Sequence, residues 1–153
     1  MKPVVTRLKT DPRTIIVGFD ASEDGLPRPH LFAQKFVQDQ GYEIEPRPPR
    51  DRGIYDFMAF RGDPEKDESP DVRLFKVQIV GRFYVTIKGK VGAMSARRQL
   101  SKDQRDMDVE FIYTTWDGRC ALTLDEIVGI CRDEVLELSE KVDEQHLLET
   151  DPG

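Results

Sequence analysis

Three polar residues stand where a strand pattern should be burying apolar ones. Asp56 lies inside Tyr55-Asp56-Phe57, and Lys76 and Gln78 alternate with Phe75, Val77 and Ile79 in the segment from Arg73 to Val80. Side chains of a strand alternate between its faces, so Lys76, Gln78, Val80 and Arg82 share one face and Phe75, Val77 and Ile79 the other. A carboxylate and an amide supply hard oxygen donors, and a lysine supplies positive charge, so a sheet with such a face can build a site. The plainer alternatives stay open. An aspartate at a strand start is commonly a turn or capping residue, and Lys76 and Gln78 equally fit the solvent face of an antiparallel strand.

The elements that must position these residues are legible in outline. Thr14 to Phe19 is a β-branched run that reads as a strand packing on an edge, and His30 to Gln40 spaces Phe32, Ala33, Phe36 and Val37 as a helix, with Gly41 at its end. Tyr42 to Glu45 extends, and the prolines between Pro46 and Gly53 exclude a helix before Asp56. A charged loop from Arg61 to Asp71 leads to Leu74–Val80, which is expected to pair as a hairpin with Phe83–Lys88 across Gly81-Arg82. Ala93 to Gln104 reads as a basic helix, and Val109 to Trp116 as a strand turning at Asp117-Gly118 into Arg119–Leu122. Thr123 with Glu126 has the form of a capping box opening a helix to about Leu148, on which Ile127, Cys131, Val135, Leu138 and Val142 make one apolar stripe. Packing on its own sheet is the ordinary use of such a stripe, and pairing with a second copy is the other.

The chain of 153 residues suits one domain, with a core over about 14–124 and the C-terminal helix over about 124–148. No apolar run approaches the ~18 residues of a membrane span and none follows Met1 as a signal peptide, so a soluble, intracellular and cytoplasmic protein is expected. Cys120 and Cys131 lack CxxC spacing and read as thiols. The net charge of −6 argues against wholesale coating of nucleic acid, yet six bases face one acid from Lys88 to Arg105, and two bases face ten acids from Thr123 to Gly153. Arg97, Arg98, Lys102 and Arg105 are therefore candidate phosphate contacts, with pairing to the acidic helix as the alternative. Tyr84, Tyr113 and Trp116 sit in strand-like runs and read as core before they read as base-stacking residues. Asp108 and Glu110 read as turn and surface residues, and neither His30 nor His146 lies in a cluster with ligand spacing. No P-loop, dinucleotide glycine pattern, nucleophile elbow or zinc spacing occurs.

The runs Phe32–Tyr42, Tyr55-Asp56-Phe57-Met58, Lys76-Val77-Gln78, Tyr84-Val85 and Asp108-Val109-Glu110-Phe111-Ile112 together resemble the PD-(D/E)XK nuclease superfamily, in the branches that write the second motif Gln-x-Lys. The resemblance implies an α/β (α+β) fold of the restriction-endonuclease-like kind, a mixed β-sheet flanked by helices, here with an acidic amphipathic C-terminal helix. It implies a metal-dependent DNA endonuclease or resolvase-like phosphodiester hydrolase, with magnesium on Asp56 and Gln78 and a DNA partner, and many such nucleases work as dimers. The ion would activate a water and offset charge on the phosphodiester. Two positions depart from the pattern. Val80 stands where the motif lysine belongs, leaving Lys76, or Lys88 from the expected partner strand, to supply the positive group. The first helix offers Gln34 and Lys35 in place of a glutamate. The alternative function is a catalytically inactive nuclease-fold module that binds DNA or another protein.

Overall fold

The computed structural model describes residues 3–19, 29–46, 53–62, 65–66, 71–94 and 99–150. They form a mixed α/β arrangement of two sheets and three helices. The larger sheet has the order β3-β4-β5-β8-β9 and uses β3 (Glu43–Pro46), β4 (Phe57–Arg61), β5 (Asp71–Ile79), β8 (Val109–Thr114) and β9 (Cys120–Ala121). Its pairs are antiparallel except β5 with β8, which run parallel with Lys76 beside Phe111 and Gln78 beside Tyr113. Parallel neighbours need a long crossover. Here it holds β6 (Arg82–Val85), β7 (Val91–Ala93) and α2 (Lys102–Asp106).

The smaller sheet is antiparallel, with the order β1-β2-β6-β7, where β1 is Pro3–Arg7 and β2 is Ile15–Phe19. The strand expected at an edge is thus interior: β2 pairs with β1 on one side and β6 on the other. The expected hairpin between Leu74–Val80 and Phe83–Lys88 is not formed, because β6 takes β2 and β7 as its partners. A link as short as Gly81-Arg82 suggests a turn within one sheet. It is instead the crossing from one sheet to the next, and the apolar alternation on either side carries no mark that tells the two apart.

Each sheet has its own packed core. Helix α1 (Pro29–Gln38) covers the larger sheet by burying Ala33 and Val37 against Phe57, Ala59, Phe75, Val77 and Ile112. The Phe57 and Phe75 rings stand 5.4 Å apart in a tilted pair. Helix α3 (Leu124–Thr150) buries Ile127, Cys131 and Val135 with Ile15, Val17, Phe83 and Val85 of the smaller sheet and Tyr113 of the larger one. Its start is as expected, with Thr123 Oγ1 accepting from the Glu126 amide at 3.2 Å. The stripe of α3 is therefore used on its own core through Leu138, which packs there partly buried, while the side chain of Val142 lies outside the described residues.

The basic helix expected over Ala93–Gln104 is different. Ala93 ends β7, residues 95–98 are outside the described residues, and α2 is a single short helix of five residues. Ser101 and Gln104 form a reciprocal capping box at its start, a spacing present in the sequence and overlooked because the basic run drew the helix earlier. No helix among the described residues is long and apolar enough to cross a membrane.

Both cysteines are free thiols. Burial pushes each thiol up from its ordinary value, against smaller opposite effects of Thr114 on Cys120 and Arg119 on Cys131. A raised folded-state value keeps the proton on the native protein longer than on the unfolded chain, so this contribution to stability is full below the ordinary thiol range and is lost as pH rises through the folded value. Urea unfolding from pH 7 to pH 10 is expected to show a smaller decline in midpoint for Cys120→Ser/Cys131→Ala than for the parent, with identical declines counting against it.

Candidate functional site

Asp56 sits one residue before β4 and is fastened to β5 at two points. Its amide donates to the Phe75 carbonyl at 2.7 Å, and its Oδ2 accepts from the Val77 amide at 2.7 Å. These partners flank Lys76, so Asp56 is held opposite it. The Lys76 Nζ lies 3.6 Å from Asp56 Oδ1, with the lysine side chain 25% and the aspartate 12% exposed. Gln78 follows two residues along on the same face as Lys76, away from α1, and is 8% exposed beside Tyr113. The three residues singled out in the sequence therefore share one face at one end of the β4–β5 pair.

The remaining candidates fall elsewhere. Val80 is 1% exposed and packs with Phe83, Ile127 and Val135 in the core under α3. A lysine there would have to put its ammonium among those apolar side chains, so the departure from the motif follows from how the two sheets join. Lys88 lies in the exposed turn between β6 and β7 of the smaller sheet, and the pairing that was expected to carry it to Asp56 is absent. Gln34 is half-buried and Lys35 exposed on α1. Lys102 and Arg105 are exposed on α2, while Arg97 and Arg98 lie outside the described residues. The helix that carries Lys102 and Arg105 is tied to the approach to Asp56, since Gln104 Nε2 donates to the Ile54 carbonyl at 3.0 Å.

On the opposite face of the sheet is a polar set that includes Glu110, a residue the sequence suggests is on the surface. Glu110 accepts two hydrogen bonds from Arg73, at 2.7 and 2.6 Å, and this pairing holds the guanidinium above its ordinary value against the opposing cost of burial. Tyr42 donates to Asp71 at 2.6 Å, and Arg61 lies over the Tyr42 ring at 4.2 Å. In the parallel register Glu110 stands beside Phe75 and Ile112 beside Val77, which puts Glu110 on the α1 side and away from Lys76 and Gln78. Asp108 is a turn residue with a left-handed φ of 55°. The signal for this set was available in part: Arg73 and Glu110 each precede a buried strand residue on the same alternation.

These residues do not fit a resident divalent ion. No group of three or more His, Cys, Asp or Glu able to hold a metal occurs among the described residues. Of the two oxygens of Asp56, one is spent on the Val77 amide and the other faces an ammonium, which is the position a cation would need. A hard cation would have to displace Lys76 and draw its other ligands from water and substrate. No protein-family model matches the chain, nor does any curated protein or solved structure.

Two substitutions separate the structural from the chemical roles. Asp56→Ala leaves the Val77 amide without its acceptor and is expected to cost about 1–3 kcal/mol in urea unfolding, whereas Asp56→Asn keeps an accepting oxygen and costs less than half as much. Val80→Lys is expected to lose about 3 kcal/mol or more because the valine is 1% exposed and packed with Phe83, Ile127 and Val135. A Val80→Lys protein as stable as the parent would show that the position is open to solvent.

Proposed function

We propose that this chain is a DNA-binding module built on a nuclease-like α/β core, in which cleavage has been given up. The observation that carries the reading is the Lys76 ammonium 3.6 Å from Asp56 Oδ1, set where a metal would sit. Val80 in the core supports it, because the catalytic lysine of the motif has no room there. DNA contact is assigned to Lys102 and Arg105, exposed on a helix whose Gln104 is bonded to Ile54, so that phosphates held there run past the Asp56 face. Arg97 and Arg98 are close in sequence and extend the same basic stretch. A DNA partner puts the protein inside the cell in this reading. Pairing of two copies through α3 would use the face with Ile130, 51% exposed, since Ile127, Cys131 and Val135 are already buried on the smaller sheet.

One observation favours a second reading, a magnesium-dependent DNA endonuclease or resolvase-like hydrolase. Asp56, Lys76 and Gln78 share a face, and Lys76 keeps enough exposure to move aside for an ion delivered with substrate. Mobility-shift and cleavage assays on duplex, branched and single-stranded DNA, with and without magnesium, decide between the two. Binding that weakens about tenfold in Lys102→Ala/Arg105→Ala at low salt, with no cleavage, is the expected result. Magnesium-dependent cleavage lost in Asp56→Asn would establish the second reading, and the absence of any binding at low salt would sink both.

A further inference from the structure

Positive charge gathers at one end of the smaller sheet, on a surface that the Asp56 face does not use. The last rung of that sheet runs Arg7, Ile15, Val85, Val91 across four strands, so the β1–β2 and β6–β7 connections emerge side by side. Arg7, Lys9 and Arg13 come from the first connection and its rung, and Lys88 and Lys90 from the second, all of them exposed. The one acid among them, Asp11, already accepts from the Arg13 amide and the Thr14 hydroxyl. Glu140 of α3 lines a cavity of about 450 Å³ beneath the same tips, together with Arg7 and Arg13. Five bases against two acids stand out in a chain of net charge −6.

An aromatic ring opens on the same end. Phe83 and Val85 turn inward to the core, so Tyr84 between them faces away from α3. Its ring lies against Gly92 on the neighbouring strand, so close that any Cβ there would collide with it. With Leu8, Thr14, Thr86 and Met94 it bounds an open cavity of about 260 Å³. At the tip of the adjoining turn Ile87 is 74% exposed, between a threonine and two lysines. A half-exposed ring in an open cavity, one rung back from turns that carry exposed lysines and arginines, brings near each other the two elements that hold an unpaired strand, a stacking platform and a phosphate track.

We propose that this end of the four-stranded sheet binds single-stranded nucleic acid, with phosphates along Lys88, Lys90, Arg13 and Lys9 and a base against Tyr84. A duplex is a poorer occupant because its base faces are already stacked and cannot reach a ring inside a cavity. The surface is separate from Lys102 and Arg105 on α2, and the assignment stands whether or not that helix contacts DNA.

Fluorescence anisotropy with a short labelled oligothymidylate tests it on the full chain, with a duplex of the same length and anionic phospholipid vesicles as comparisons. Lys88→Glu/Lys90→Glu, in an exposed turn, is expected to weaken the single strand about tenfold or more, and Lys88→Ala/Lys90→Ala to reduce the salt slope by about 0.7 per lysine. Tyr84→Leu is expected to lose about tenfold while Tyr84→Phe stays within about twofold of the parent. Thermal melting identifies any variant that fails to fold, and the two lysine pairs keep the test valid if Tyr84→Leu does. Unchanged single-strand affinity in Lys88→Glu/Lys90→Glu, an equal or larger loss of duplex affinity in that variant, or binding to vesicles with no binding to the oligonucleotide would each overturn the assignment.

Discussion

The crossing from β5 to β6 is the constraint on which the rest of the molecule depends. Within three residues the chain must leave a sheet flanked by α1 and enter one flanked by α3. Val80 is the peg of that crossing: its amide still bonds Thr114 of the larger sheet at 2.8 Å, while its side chain is already in the core of the smaller one. Gly81 follows beside the Trp116 indole nitrogen, which a Cβ there would meet at 3.4 Å, an ordinary contact distance. A residue at position 80 has to be apolar and compact to serve both sheets. The burial of an apolar side chain at position 80 thus follows from the two-sheet architecture.

That coupling also explains which parts of the fold could be read beforehand. Helix α1, the β4–β5 pair, the β8–β9 turn and the capped start of α3 each rest on local signals: a 3.6-residue apolar period, alternation, Asp117-Gly118, and Thr123 with its partner amide. Apart from the helix expected over Ala93–Gln104, where Ala93 ends β7 and α2 begins only at Lys102, the errors concern partners. Strand alternation predicts a strand without saying what it pairs with, so Phe83–Val85 was given to β5 when it belongs to β2 and β7. Lys88 was lost from the site for the same reason. Asp56 and Lys76 meet because β4 and β5 are an antiparallel pair of neighbours in sequence, whose register the alternation of Phe57 and Phe75 fixes. The Arg73–Glu110 pair joins strands 37 positions apart in a parallel register, and no local pattern announces such a contact.

The roles of Asp56 and Lys76 can be weighed separately on energetic grounds. Asp56 has a sufficient structural reason to exist: its carboxylate takes the Val77 amide at the point where β4 has not yet begun, so it closes a gap in the ladder that would otherwise leave a backbone donor short of a partner. A charged acceptor makes this a strong bond, of about 1.5–3 kcal/mol. Lys76 has no comparable reason. A partly exposed ion pair at 3.6 Å is worth about 0–1 kcal/mol, and an apolar residue beside Phe111 on a strand of this kind would contribute as much or more by burial. Stability accounts for the acid and leaves the lysine unexplained. Of the polar residues on this face, Lys76 is therefore the one whose side chain carries the stronger claim to a functional role, because the fold itself asks nothing of it.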